Sequence, residues 1–217
     1  MKDSGTERAI FEAALEEFAE KGFHGARMQT IADRAGANKA LVHYYFRSKE
    51  QLYLKALGEI TRAFWDNVEM PMRSLAPGDI FGLARIIATF VVEETQKAPY
   101  SRILLTELST GGRYLKKMDA LLAEALESSQ RSILTFLQDA IDNGHVKPFH
   151  PMKIFNNIMG MCWNIFLSEP YAAVVYEKMG TEMDAAFYDE YIELIAQTVA
   201  TGLKKDTQAL KAPSPSS

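Results

Sequence analysis

The sequence predicts an all-α fold, and three observations support that prediction. Apolar residues recur at helical spacing along the chain, beginning with Ile10, Ala14 and Phe18. Residues typical of helix starts and ends punctuate these segments, and no alternating strand pattern of convincing length is present. Hydrophobic residues make up 47% of the 217 positions, which is enough to bury a core and excludes wholesale disorder.

The N-terminal region predicts four helices between roughly residue 6 and residue 70. The first ends at Gly22, and a short second helix turns Ile31 inward. Gly36 follows it, where the chain must take a left-handed conformation that costs a residue without Cβ least. Asn38 then caps a short third helix, and Ser48 opens a capping box for the fourth.

Residues 22 to 49 therefore have the pattern of a helix-turn-helix, in which the second short helix enters the major groove of DNA. That helix presents Lys39, His43 and Tyr44 outward. An ordinary turn between two helices of an all-α protein is the plain alternative for such a pattern taken alone.

A resemblance to a known family strengthens the DNA-binding interpretation. Residues 8 to 55 resemble the N-terminal DNA-binding domain of the tetracycline-repressor (TetR) family. The matching motifs are Gly22-Phe23, Ile31-Ala32, Ala35-Gly36, Tyr45-Phe46 and Phe46-Arg47-Ser48-Lys49. The resemblance implies a homodimeric, ligand-responsive transcriptional regulator, a repressor that a small molecule releases from a palindromic operator.

Three positions depart from the family pattern. Ala26-Arg27 stand where the family usually has a Ser or Thr cap, Leu41 replaces a Thr, and His43 replaces a Tyr. Arg27 can still hold a phosphate, and His43 can donate or accept at a base edge. The operator sequence is therefore not transferable from a relative. A helical ligand-binding or scaffolding dimer that has lost operator recognition remains the alternative function.

We expect the DNA contacts to come from both short helices and the start of the fourth. Lys39 and His43 would face base edges, while Arg27, Tyr44 and others would hold phosphates. The predicted DNA-binding set is Arg27, Met28, Gln29, Asn38, Lys39, Ala40, His43, Tyr44, Tyr45 and Lys49. The net charge of the chain is −4, but residues 1 to 55 carry nine Lys/Arg and eight Asp/Glu. Affinity must then come from local placement of cations rather than from bulk attraction.

Beyond residue 56 the chain predicts further helices, with no repeat. Their approximate bounds are 79 to 97, 100 to 108, 115 to 143, 152 to 168 and 184 to 204, after a fourth helix that ends near Pro71. The last two are apolar over more than one stripe, so we expect them to pair with the same helices of a second copy. The predicted dimer residues are Ile158, Phe166, Tyr188, Ile192, Ile195 and Val199.

An effector is expected within residues 56 to 180, and an apolar or aromatic small molecule fits the composition best. The predicted lining is Phe64, Phe90, Tyr100, Leu104, Phe136, Met159 and Trp163, although plain core packing is the favoured interpretation of any single one of these side chains. Glu93, Glu94 and Glu107 either suit a cationic effector or are solvated.

The sequence gives no support to an enzyme. It lacks a Gly-rich phosphate loop, a nucleophile elbow and metal-ligand spacing, so neither a cofactor nor a metal is expected. Cys162 is the only cysteine, which excludes an intrachain disulfide. No signal-peptide segment and no apolar stretch long enough to span a bilayer is apparent, so we expect a cytoplasmic protein. The expected domains are residues 1–50 for DNA, 51–205 for effector and dimer contacts, and a flexible tail at 206–217.

Overall fold

The computed structural model describes residues 4–97, 100–120 and 123–205, and the predicted tail lies outside them. The described residues are helical, with one isolated bridge between Val146 and Lys204, which confirms the all-α prediction. The helices are α1 Ser4–Gly25, α2 Met28–Arg34, α3 Lys39–Phe46, α4 Lys49–Met72, α5 Ile80–Lys97, α6 Ser101–Ser109, a 3₁₀ helix Leu115–Ala120, α7 Ala123–Asp142, α8 Pro151–Lys178 and α9 Ala185–Leu203.

The chain divides into two compact units. Unit 1 comprises Met1–Met70 and Phe90–Arg131, and unit 2 comprises Pro71–Thr89 and Ser132–Ser217. Unit 1 therefore extends beyond residue 50, because α4 buries Leu52 in the same core as the three preceding helices.

Unit 1 has a single hydrophobic core beneath its short helices. Its fully or nearly fully buried members include Ile10, Phe18, Ile31, Val42 and Leu57. Burying a side chain of this size contributes about 1.5–3 kcal/mol, so a few such positions hold the short α2 and α3 in place. The core also includes Ile103 of α6, Tyr114 of the turn that follows α6, and Met118 of the 3₁₀ helix.

Two helix boundaries refine the sequence expectations. Gly22 has φ 63 and lies at a kink within the segment assigned to α1, so the regular part of that helix ends where predicted. The single long helix expected from about 115 to 143 is wrong. A 3₁₀ helix at Leu115–Ala120 precedes α7 at Ala123–Asp142. The spacing of apolar residues could not separate the 3₁₀ helix from α7, because Met118 continues the apolar spacing of α7. In the structure Met118 is buried in the core of unit 1.

Unit 2 is built on the packing of α8 against α9. Asp184 caps α9 by accepting the Phe187 N–H at 2.9 Å, as its short side chain allows at a helix start. The Tyr191 hydroxyl donates to the Met161 carbonyl at 3.1 Å and so ties the two helices together. Their buried residues are Ile154, Phe155, Ile158, Met159, Cys162 and Ile165 on α8, and Tyr188, Ile192, Ile195, Ala196, Val199 and Leu203 on α9.

Candidate nucleic-acid interface

The turn between α2 and α3 has the predicted geometry. Gly36 has φ 62, and the Ala37 N–H donates to the Ala32 carbonyl at 2.9 Å. Asn38 then caps α3, its Oδ1 accepting the Leu41 N–H at 2.8 Å. These bonds fix the direction in which α3 leaves α2, which is the requirement for a recognition helix.

The recognition helix α3 has one buried and one exposed face. Val42 is fully buried and Phe46 is 5% exposed, so both anchor the helix in the core of unit 1. Lys39 and His43 lie one turn apart on the exposed face, and Tyr44 is 63% exposed. A helix with donors and acceptors on its outer face can place them against base edges in the major groove.

The exit from α3 is a strained turn. Arg47 has φ 56 and ψ −48, a region that residues with a Cβ rarely adopt. The Arg47 N–H donates to the His43 carbonyl, the Ser48 N–H donates to the Phe46 carbonyl, and His43 Nδ1 lies 3.1 Å from the Arg47 carbonyl oxygen. Ser48 next caps α4, its hydroxyl oxygen accepting the Gln51 N–H at 3.1 Å as predicted.

Glu17 of α1 contacts the backbone at the start of α2. Arg27 is the N-cap residue, and its side chain makes no capping bond. Its backbone N–H donates to Glu17 Oε1 at 3.1 Å. The Glu17 carboxylate is almost fully buried, and a negative charge is favourable at the N-terminus of a helix. Glu17 therefore satisfies the N–H of the N-cap residue itself, whereas a Ser or Thr cap would accept an N–H from the first turn of the helix.

Arg34 at the end of α2 is held by acidic side chains of α1. Its Nη2 lies 2.8 Å from Glu20 Oε2 and 3.3 Å from Glu17 Oε2, and its Nη1 lies 3.6 Å from Glu16 Oε2. The hydrogen bond to Glu20 raises the pKa of Arg34, and the same bond lowers the pKa of Glu20. Arg34 thus fastens α2 to α1, and its charge is largely neutralised before any phosphate arrives.

Lys49 fastens α4 to the connection between α1 and α2. Its Nζ donates to the Ala26 carbonyl at 2.6 Å and to the His24 carbonyl at 3.3 Å, and it lies 4.8 Å from the centroid of the Phe23 ring. Burial lowers the pKa of Lys49. The ammonium group therefore has a structural role, and the phosphate contact expected of it stays a prediction.

The predicted DNA-binding residues fall into two groups. Seven are exposed on α2, α3 and the residues that precede them: Arg27, Gln29, Asn38, Lys39, Ala40, His43 and Tyr44. Met28, Tyr45 and Lys49 are partly buried, and the first two pack against the core of unit 1. Arg47, which is outside the predicted set, is exposed directly after α3.

The predicted effector residues belong to both units. Phe64 and Phe90 lie in unit 1 with ring centroids 5.6 Å apart, and Tyr100 and Leu104 pack against the core of that unit. Met159 and Trp163 belong to unit 2, together with Phe136, which lines a cavity of about 300 Å³.

Glu107 is buried, so the alternative that this residue is solvated is wrong. It is 4% exposed rather than solvated. Its Oε2 accepts the Tyr53 hydroxyl at 3.3 Å, and its Oε1 accepts the Tyr114 backbone N–H. Both oxygens are therefore engaged within unit 1.

The predicted dimer residues lie mostly inside one protomer, which is a second correction. Ile158 is fully buried and Ile195 is 2% exposed, and Tyr188, Ile192 and Val199 are also buried, so the packing of α8 and α9 leaves them little surface for a partner. Phe166 is partly buried. The exposed apolar residues of these helices are instead Leu167, Tyr171 and Val174 on α8 and Leu194 on α9. Both helices are apolar over more than one stripe, so the sequence could not show which stripe faces inward.

Two further features bear on the class of protein. Among the described residues, no group of three or more His, Cys, Asp or Glu could hold a metal ion. The 28-residue α8 is long and apolar enough to cross a bilayer by length and composition alone, contrary to the expectation from the sequence. An apolar helix that packs on a neighbour in a water-soluble fold passes the same test, so this feature is weak support for a membrane span.

Comparisons with known proteins agree with this geometry. The sequence profile described as "Bacterial regulatory proteins, tetR family" matches residues 10–56. The HTH-type transcriptional regulator RutR of Escherichia coli O157:H7 is 25% identical over 201 residues, 93% of this chain and 92% of RutR. The HTH-type transcriptional repressor NicS of Pseudomonas putida is 31% identical over 115 residues, 52% of this chain and 53% of NicS. A TetR family transcription regulator from Marinobacter aquaeolei has the same fold, with a TM-score of 0.71 at 18% identity over 94% of this chain and 98% of that one.

All three similar proteins are named as transcriptional regulators rather than as enzymes. The matched segment coincides with the helices that build the exposed recognition face. Residues 10–56 therefore match the DNA-binding domain of the TetR family of bacterial regulatory proteins, and the chain is similar along most of its length to a helix-turn-helix transcriptional regulator.

Proposed function

We propose that the chain is a homodimeric repressor that binds a palindromic operator and is released from it by a small molecule. The observation that carries the DNA-binding part is the recognition helix α3. Its exposed Lys39, His43 and Tyr44 are held over the buried Val42 and Phe46 by a capped turn. Repression is supported by the name of the similar NicS, a transcriptional repressor.

Two kinds of DNA contact follow from the exposed positions. Lys39 and His43 would read base edges, because they lie one turn apart on the outer face of α3. Arg27 and Tyr44 flank them and would hold phosphates. Lys49 would contribute mainly by fixing the start of α4.

Dimerisation would use the exposed apolar stripe of α8 together with Leu194 of α9. Positions 167, 171 and 174 recur at helical spacing, so they form one continuous face that water would otherwise hydrate. A second copy with the same face would bury it symmetrically in a four-helix arrangement. Two recognition helices would then reach successive major grooves about 34–36 Å apart, which requires a near-palindromic operator.

The effector would be an apolar or aromatic small molecule bound within residues 56 to 180. Support comes from the clustered rings of Phe64, Trp65 and Phe90, although such a cluster is also ordinary core. The first residue of the 24-residue α4 is Lys49, which is hydrogen-bonded to the connection between α1 and α2. A tilt of α4 would therefore displace α2 and α3. Coupling between two sites of this kind is typically about 1–3 kcal/mol. We place the protein in the cytoplasm and assign it no cofactor.

The test is a selection of genomic DNA fragments by the purified full-length protein, with Lys39→Ala as the matched variant. We expect the wild type to enrich a near-palindromic sequence and Lys39→Ala to relax its preference at one position of each half-site. Light scattering of the same sample measures the oligomeric state, and a metabolite panel scored by operator release tests the effector. No enriched sequence would favour a dimer that has lost operator recognition, and a monomer would exclude the proposed dimer.

A further inference from the structure

The inner ring nitrogen of His43 is already committed to the protein. His43 Nδ1 lies 3.1 Å from the carbonyl oxygen of Arg47, four residues later. A carbonyl oxygen only accepts hydrogen bonds, so Nδ1 must carry the proton. In a neutral imidazole the other nitrogen is then unprotonated, which makes Nε2 a hydrogen-bond acceptor.

The carbonyl that fixes this tautomer is itself held in place. Arg47 is the central residue of a three-residue turn with positive φ, closed by the bond from the Ser48 N–H to the Phe46 carbonyl. Backbone in such a region is strained and persists only where the surrounding structure constrains it. Here the end of α3 and the Ser48 cap of α4 provide that constraint. The Arg47 carbonyl thus has a defined direction before DNA binds.

Nε2 lies on the opposite side of the ring from this bond. The His43 side chain is exposed on the outer face of α3, one turn after the exposed Lys39. Val42 beside it is fully buried, which prevents the helix from rotating to hide the imidazole. The ring therefore offers a fixed acceptor on the face that a recognition helix turns toward DNA.

We infer that His43 determines operator specificity by accepting a hydrogen bond from one base through Nε2. This inference rests on the proposed binding of operator DNA by α3. In the major groove the donors are adenine N6–H₂ and cytosine N4–H₂, whereas guanine presents acceptors and thymine presents O4 and a methyl group. Neutral His43 therefore selects adenine or cytosine at one position of each half-site.

Two variants separate base reading from capping of the turn. His43→Asn keeps an amide donor near the position of Nδ1, so it can still bond the Arg47 carbonyl, but it lacks the outer nitrogen. His43→Gln keeps an acceptor oxygen near the reach of Nε2. Each variant and the wild type select from a randomised DNA duplex library at about pH 8, and circular dichroism checks that the helices persist.

We expect the wild type to prefer adenine or cytosine at one symmetric position by about two- to tenfold, the net value of one hydrogen bond. His43→Asn should lose the preference at that position alone, and His43→Gln should retain a preference there.

Two results would overturn the inference. If His43→Asn reproduces the wild-type preferences at every position, the imidazole only caps the turn after α3. If the wild type enriches no sequence, operator binding by α3 fails and the reading role of His43 fails with it. The first result leaves operator binding standing, so the two failures are distinguishable.

Discussion

The Tyr53 hydroxyl donates a hydrogen bond to Glu107 Oε2 across 3.3 Å and so joins α4 to α6 inside unit 1. The second Glu107 oxygen accepts the Tyr114 N–H. Burial raises the pKa of Tyr53, and the neighbouring Glu107 carboxylate adds to the shift. The segment that follows α6 is therefore bound to the DNA-binding helices by polar contacts as well as by apolar packing.

Tyr53→Phe should destabilise the protein by about 1–3 kcal/mol, because it leaves one buried carboxylate oxygen without its donor. Chemical denaturation followed by circular dichroism measures the effect. Tyr44→Phe is the matched control, since it removes a hydroxyl from a side chain that is 63% exposed. Equal stabilities of the two variants would contradict a structural role for the Tyr53–Glu107 bond.

Glu17→Gln should destabilise unit 1 more than Glu20→Gln does. The Glu17 carboxylate is 2% exposed and contacts both the Arg27 N–H and Arg34, so losing its charge removes a buried partner. Glu20 lies on the surface, where solvent weakens its pair with Arg34. Thermal unfolding of the two variants at pH 7 compares these effects.

The Glu20 pair also has a predicted pH dependence. Because Arg34 lowers the pKa of Glu20, its contribution is present above the ordinary carboxyl pKa and is lost as pH falls through the lowered value. The stability difference between wild type and Glu20→Gln should therefore shrink on acidification. A difference that grows at acid pH would contradict the pairing.

Lys49→Met should lower stability, whereas Lys39→Met should not. Lys49 donates to the carbonyls of Ala26 and His24, while Lys39 is exposed on the outer face of α3. Loss of such a charged hydrogen bond costs about 1.5–3 kcal/mol. Lys39→Met should instead weaken selective DNA binding with an unchanged melting temperature. Differential scanning fluorimetry and operator titration separate the two roles, and a reversal of the pattern would disprove them.

Adjacent positions of α9 test the dimer surface. Leu194 is 57% exposed and Ile195 is 2% exposed, so only the first has surface to offer a partner. Leu194→Asp should yield folded monomers, and Ile195→Asp should unfold unit 2, because an unpaired buried charge is strongly unfavourable. Light scattering and circular dichroism distinguish these outcomes. A Leu194→Asp variant that remains dimeric would place the interface elsewhere.

Cys162 should be unreactive in the folded protein. The side chain is fully buried, and burial raises the pKa of its thiol to about 12. The thiolate is the reactive form, so an aromatic disulfide reagent at pH 8 should label it only on unfolding. Because the pKa of this thiol is higher in the folded than in the unfolded protein, its contribution to the stability of the fold decreases as pH rises from the unfolded-state pKa toward about 12. Rapid labelling under native conditions would show that α8 opens readily.

The sequence by itself determined the features that depend on residues within one helical turn. The positive φ of Gly36 concerns a single residue. The bond from the Leu41 N–H to Asn38 and the bond from the Gln51 N–H to Ser48 each join residues three positions apart. Such bonds need no distant partner, so residue type and spacing predict them. The exposed face of α3 followed in the same way from its helical period.

Only the tertiary structure decided the contacts between residues that are distant in sequence. Glu17 accepts the N–H of Arg27 from ten residues away, Lys49 binds a carbonyl 23 residues earlier, and Glu107 contacts Tyr53 across 54 residues. In the sequence each of these side chains looks like an ordinary solvated residue, because only packing in the folded chain removes its water and brings its partner close. The inward stripe of α8 and α9 was decided by the same packing, because both of their apolar faces satisfy the helical period and only one can be buried in a single protomer.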